Sequence, residues 1–133
     1  LIRVNANNLF HTGSYNLGLE CRRPLGPVDG TLSCGSLLSG TIEAPGEVDL
    51  ITFSGQTGDV VDLTLVLTAG FDSFRSVLPR VTLFSPTGAQ LDSFDANVQK
   101  TYTLPESGTY LIRVNANNLV ATGSYNLRLQ CSP

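Results

Sequence analysis

An all-β fold, a sandwich or barrel of antiparallel strands, is what three features of this 133-residue sequence predict. From Leu38 onward, short runs of alternating apolar residues are separated by turn residues at spacings of about 8 to 12, the pattern of such folds. Helix signals are absent. The connections are short turns that suit antiparallel neighbours, whereas parallel strands need crossovers of a dozen or more residues.

Eight runs meet the strand pattern: 39–44, 48–54, 60–68, 80–84, 90–95, 99–104, 109–115 and 124–130. Alternation assigns their faces, because successive side chains of a strand point to opposite sides of the sheet. Val61, Leu63, Leu65 and Leu67 form an inward face, with Asp62, Thr64 and Val66 between them. Tyr110, Ile112 and Val114 point opposite to Leu111 and Arg113, and Tyr125, Leu127 and Leu129 opposite to Asn126, Arg128 and Gln130. Tyr15, Phe53, Phe84, Phe94, Tyr110 and Tyr125 all sit at alternating strand positions and read as core. The turns carry identifiable chemistry. Pro45-Gly46 and Pro86-Thr87-Gly88 place proline where its fixed φ suits a first central position, with glycine available for positive φ.

One segment occurs twice. Residues 1–21 read LIRVNANNLFHTGSYNLGLEC and residues 111–131 read LIRVNANNLVATGSYNLRLQC, identical at 17 of 21 positions at an offset of 110. The matches include Arg3/Arg113, Asn5/Asn115 and Asn8/Asn118, which a core alone would not fix. A period of 110 exceeds the roughly 20 to 50 residues of a solenoid unit, so each period is expected to be a whole domain. The division that follows is a closing hairpin of a preceding module over 1–21, a Pro/Gly linker over 22–33 (RRPLGPVDGTLS), and a complete module over 34–131. A chain opening inside the apolar run LIRV, with no initiator methionine, is expected to be preceded by further sequence.

Composition narrows the function classes. Net charge is −3 and the eight Lys and Arg are scattered apart from Arg22-Arg23, so the basic footprint of a nucleic-acid binder is missing and no nucleic-acid partner is expected. No stretch approaches the about 20 apolar residues that span a bilayer, so no membrane span is expected. Charged residues make up only 14% of the chain, against about 25% in a typical soluble domain, which leaves a surface of Thr, Ser, Asn and Gly. Of the three cysteines, Cys21, Cys34 and Cys131, the first and last share one repeat position, which reads as just outside a strand. That placement points to disulfides and an extracellular or cell-surface setting. Cys34 with Cys131 would staple the first strand to the last. Cys21 with Cys34 would close the linker, and is preferred because it explains why both frame the Pro-rich stretch.

The ordered set CGSLLSGTIEAPGEVDLITFSGQTGDVVDLTL, VTLFSPTGAQL, TYTLPESGTYLIRV and TGSYNLRLQC, spanning residues 34–131, resembles the bacterial pre-peptidase C-terminal domain family. The resemblance implies a jelly-roll-like β-sandwich, found at the ends of secreted proteases or in tandem in large secreted and surface proteins, that serves as an accessory domain and not a catalyst. Some collagen-binding relatives hold calcium through an acidic linker before the first strand. Here that stretch offers only Asp29, and the chain has no Trp for the exposed aromatics such relatives use.

No catalytic constellation can be assembled. His11 is the only histidine and its repeat counterpart is Ala121, so no Ser-His or Cys-His system is available. Asp92, Asp95, Glu47 and Asp49 read as solvated turn and edge carboxylates, and no phosphate-cradling glycine motif precedes a helix. No cofactor is expected, with one weak calcium site as the remaining alternative. Phe71 and Phe74, in the loop GFDSFRS, are candidate contacts for a glycan or protein ligand, or a plug for one end of the sandwich.

The first copy of the repeat carries a core face, Ile2, Val4, Tyr15, Leu17 and Leu19, without the other strands of its module. A lone two-stranded hairpin is marginal in water. It is expected to complete a preceding module of the same polypeptide, to insert into another subunit as donated strands, or to pair edge to edge within the chain. The expected function is a non-enzymatic extracellular repeat module that joins copies of itself head to tail into a filament, stalk or surface array. The alternative is an accessory substrate-binding domain of a secreted hydrolase.

Overall fold

The computed structural model describes residues 1–19 and 28–132. Among these residues nine strands follow in order: Gly30–Thr31 (β1), Leu37–Ile42 (β2), Asp49–Gly55 (β3), Val60–Gly70 (β4), Pro79–Phe84 (β5), Gln90–Asp95 (β6), Val98–Thr103 (β7), Gly108–Ala116 (β8) and Gly123–Ser132 (β9). A single 3₁₀ turn, Ser73–Arg75, interrupts the β4–β5 connection. The strands form two sheets, one of order β1-β3-β8-β5-β6 and one of order β2-β9-β4-β7. All pairings are antiparallel except β1 with β3.

The eight expected strands are β2 to β9, and the inward faces are the expected ones. Ile51, Leu63, Leu65, Val81, Leu83 and Ile112 are fully buried between the sheets. Each large side chain so covered contributes roughly 1.5 to 3 kcal/mol. Phe53 and Tyr110 stack in this core with ring centroids 5.1 Å apart. The Tyr110 hydroxyl donates to the Glu106 carbonyl at 2.7 Å, satisfying its polar end. Both proline turns close as expected: the Glu47 amide reaches the Ala44 carbonyl at 3.1 Å, and the Gly88 amide reaches the Ser85 carbonyl at 2.9 Å.

Three features differ from expectation. Part of the segment read as linker belongs to the sandwich: β1 pairs with β3, the Leu32 amide donates to the Thr52 carbonyl at 2.8 Å, and Leu32 is buried in the core. Two Pro and two Gly mask a strand this short. Secondly, Phe84 is buried, but not between the sheets. It lies on the outer face of its sheet opposite Leu111, with the Arg113 guanidinium 5.7 Å from its ring centroid. Thirdly, residues 111–131 do not form a hairpin. β8 pairs with β3 and β5 in one sheet, and β9 with β2 and β4 in the other, so the connection is an arch between sheets.

Candidate functional site

The two copies of the repeated segment share one bend in two environments. In the second copy the Leu119 amide donates to the Ala116 carbonyl at 3.0 Å; in the first, Leu9 donates to Ala6 at 3.1 Å. The Asn118 side-chain oxygen accepts from the amides of Val120 (3.1 Å) and Ala121 (2.9 Å), as Asn8 does from Phe10 (3.0 Å) and His11 (3.2 Å). Asn115 and Asn5 each donate their side-chain NH2 to the next residue's carbonyl at 2.8 Å. Leu119 and Leu9 both take positive φ, 66° and 64°, which is uncommon for leucine. The bend is therefore encoded by these few residues, through asparagine side chains that mimic a backbone turn.

What surrounds the two bends is opposite. Ile112, Val114, Tyr125, Leu127 and Leu129 are 0 to 1% exposed. Their counterparts Ile2, Val4, Tyr15, Leu17 and Leu19 are 65, 46, 67, 61 and 86% exposed, and residues 1–19 contain no strand. Tyr15, read as core from its spacing, is thus exposed, and the expected hairpin over 1–21 is not formed in its described part. The reason follows from the arch. Each of its strands is central, bonded to a neighbour on both sides, and alternation does not reveal that the two partners lie in different sheets.

Tyr125 shows what a seat for the arch requires. Its ring lies over Gly40, where any Cβ would collide with it. Its hydroxyl donates to Asp49 Oδ2 at 2.6 Å. Burial, reinforced by the charges of Asp29 and Glu47, pushes the Asp49 carboxyl up to about 6, although the Tyr125 hydrogen bond works the other way. The same burial, with Asp49 beside it, pushes the Tyr125 hydroxyl well above its ordinary value. Asp49, read as a solvated turn carboxylate, is instead a buried partner. The signal for it was the tyrosine, since a buried hydroxyl finds an acceptor.

The cysteines resolve differently from the preferred reading. Cys34 is bonded to Cys131, with Cα atoms 5.3 Å apart across 97 residues. β2 and β9 are antiparallel neighbours, with Leu37 opposite Arg128, which brings Cys34 beside Cys131. The Cys21–Cys34 linker bridge is therefore not what forms. Cys21 itself lies outside the described residues.

Phe71 and Phe74 are not brought together. The Phe71 amide donates to the Thr122 carbonyl at 2.8 Å and its ring packs on the core, the plug arrangement. Phe74 is 98% exposed, beside the Asp72–Arg75 ion pair at 3.7 Å. His11 is exposed. Behind the 3₁₀ turn, Arg80 donates to Asp95 Oδ1 at 2.7 Å and Asn117 to Asp95 Oδ2 at 3.1 Å. Burial opposes ionisation of Asp95, but these two partners hold its carboxyl below its ordinary value.

Asp29 Oδ2 accepts the Leu50 amide at 2.6 Å. Among the described residues no three His, Cys, Asp or Glu side chains gather as metal ligands would, whereas calcium takes six or more oxygens. No helix among them is long and apolar enough to cross a membrane.

Solved structures share this architecture. The pre-peptidase C-terminal domain of collagenase from Bacillus anthracis superposes with a TM-score of 0.60 at 14% identity, covering 79% of this chain and 98% of that one. The chain has the fold of a pre-peptidase C-terminal domain. PliG of Salmonella Typhimurium, a periplasmic lysozyme inhibitor of g-type lysozyme, matches at 0.57 with 21% identity over 80% of this chain and 100% of its own. Yersinia pseudotuberculosis-derived mitogen matches at 0.53 with 20% identity over 71% and 83%. No protein-family model matches the sequence, and no curated protein matches it. The pre-peptidase C-terminal fold thus agrees with the motifs that carried the resemblance.

Proposed function

We propose that this chain is a non-catalytic, extracellular repeat module with a pre-peptidase C-terminal-type fold, and that residues 1–19 are the β8–β9 arch of a module preceding it. The module's role is then structural, as one link of a head-to-tail array forming a stalk, filament or surface layer. One observation carries this: the five apolar side chains of the first arch are exposed, while the same five residue types are the buried centre of the second. The three positions that differ within the described arch, Phe10, His11 and Gly18, correspond to Val120, Ala121 and Arg128, none of them buried. Every core residue an arch needs is retained. A disulfide-stapled sandwich also suits an oxidising compartment.

Tandem repetition explains the arch better than donation between separate chains. A donated arch would displace residues 111–129 of the acceptor and leave the same five side chains uncovered, with association entropy still to be met. A preceding module in the same polypeptide meets no such cost. The test is to place residues 29–110 directly ahead of Leu1. Slow amide exchange across residues 1–19 is expected in that longer chain, and fast exchange there defeats the reading.

A second reading rests on Phe74. A ring 98% exposed in the β4–β5 connection, flanked by Asp72 and Arg75, offers a contact for a protein or glycan. PliG, which shares the fold, inhibits lysozyme. Retention of the Phe74→Ala variant on insoluble glycan, collagen and immobilised lysozyme, compared with the parent, decides it. Equal retention removes this reading.

A further inference from the structure

We infer that residues 1–19 can take the place of residues 111–129 within their own module, so that the chain has two mutually exclusive ways to complete one sandwich. The inference rests on the shared sequence and bend of residues 1–19 and 111–129 and not on the array. The seat is the slot between β3 and β5 and between β2 and β4 that residues 111–129 occupy. A first strand placed between β3 and β5 would set Ile2 opposite Ile51 and Leu83, where Ile112 now lies. A second strand between β2 and β4 would set Tyr15 over Gly40 and Leu17 opposite Leu38 and Leu65. The bend joining them is already present in residues 5–11.

The chain can also close. Leu129 exchanges backbone hydrogen bonds with Gly35 and Ser36, at 2.8 and 3.1 Å. Asp29 stands six residues before Gly35, so at most about 20 Å of extended chain separates Asp29 from that point. The ten links from residue 19 to Asp29 reach about 33 Å. The linking chain is therefore long enough for residue 19 to reach the place of Leu129 while the Cys34–Cys131 bond stays intact. The balance favours the observed arrangement for two reasons. Residues 108–110, with the buried Tyr110 stacked on Phe53, extend only the second arch. Gly18 also replaces Arg128 in the middle of a strand, where glycine is the poorer residue. Exchange inside one chain carries no association cost, which makes the alternative a minor state of the same molecule and not an oligomer.

Disabling the second arch in the full chain exposes the first. The double substitution Ile112→Asp, Leu127→Asp puts two carboxylates at fully buried positions, which the core cannot hold. The expected result is a folded protein with a cooperative urea transition, in which amides of residues 1–19 exchange on the order of a hundred-fold more slowly than in the parent. Residues 111–129 should exchange freely. Adding Ile2→Asp and Leu17→Asp should then abolish the transition. The inference is overturned if the double variant is unfolded, or if it is folded with residues 111–129 still protected. Neither outcome bears on the longer chain proposed above, where the arch has a preceding module to fill.

Discussion

Asp49 couples the stability of the sandwich to pH. The residue is 8% exposed, and its carboxyl is raised from 3.8 to about 6, chiefly by burial. A raised pKa means the folded state holds the proton more tightly than the unfolded chain. The resulting stability is fully present below pH about 4 and is lost as pH climbs through about 6. Urea midpoints are therefore expected to fall between pH 4 and pH 6 from this group, and the fall should vanish in Asp49→Asn, which keeps an acceptor for the Tyr125 hydroxyl. An Asn variant with the parent's slope would show that another group controls the window. Gly70 sets a second, steric constraint. It takes φ of +70°, and a Cβ there would lie 2.6 Å from the Gly123 Cα where β4 and β9 meet. Gly70→Ala is expected to cost about 1 to 3 kcal/mol, read as a lowered urea midpoint.

At the level of elements, β2 and β9 are the pair that closes the sheet, and the Cys34–Cys131 bond fastens their ends. Cys34→Ser should lower stability by about 2 to 5 kcal/mol, measured by urea denaturation under non-reducing conditions. Loss of less than 1 kcal/mol would mean that the backbone ladder alone holds this edge. The strands themselves were legible in the sequence, because period-two alternation at Val61, Leu63 and Leu65 or at Tyr125, Leu127 and Leu129 is a local signal. Their partners were not. The connection between β8 and β9 has the length and asparagine chemistry of a hairpin loop, yet it crosses between sheets, and only tertiary pairing distinguishes the two. The same gap explains the cysteines, since choosing between Cys21 and Cys131 as partner of Cys34 requires knowing that β2 lies beside β9. It also explains Phe71 and Phe74, three residues apart in one loop, of which one plugs the core and the other faces solvent.

For the whole molecule, the repeat separates what a residue is from what it is worth. Ile2 and Leu17 are the same residue types as Ile112 and Leu127, in the same local sequence, but exposure removes them from the folding balance. Ile2→Asp with Leu17→Asp should therefore leave the stability of the 133-residue chain within about 0.5 kcal/mol of the parent, the range of ordinary surface substitutions. In the longer chain, with residues 29–110 placed ahead of Leu1, the same two changes put carboxylates between β3 and β5 and between β2 and β4 of the added module. They should then remove its unfolding transition while leaving that of the second module in place, because repeat proteins lose stability module by module. A calorimetric trace separates these outcomes. Two transitions surviving the substitutions would mean that residues 1–19 never enter the preceding sandwich, and that their likeness to residues 111–129 has no counterpart in packing.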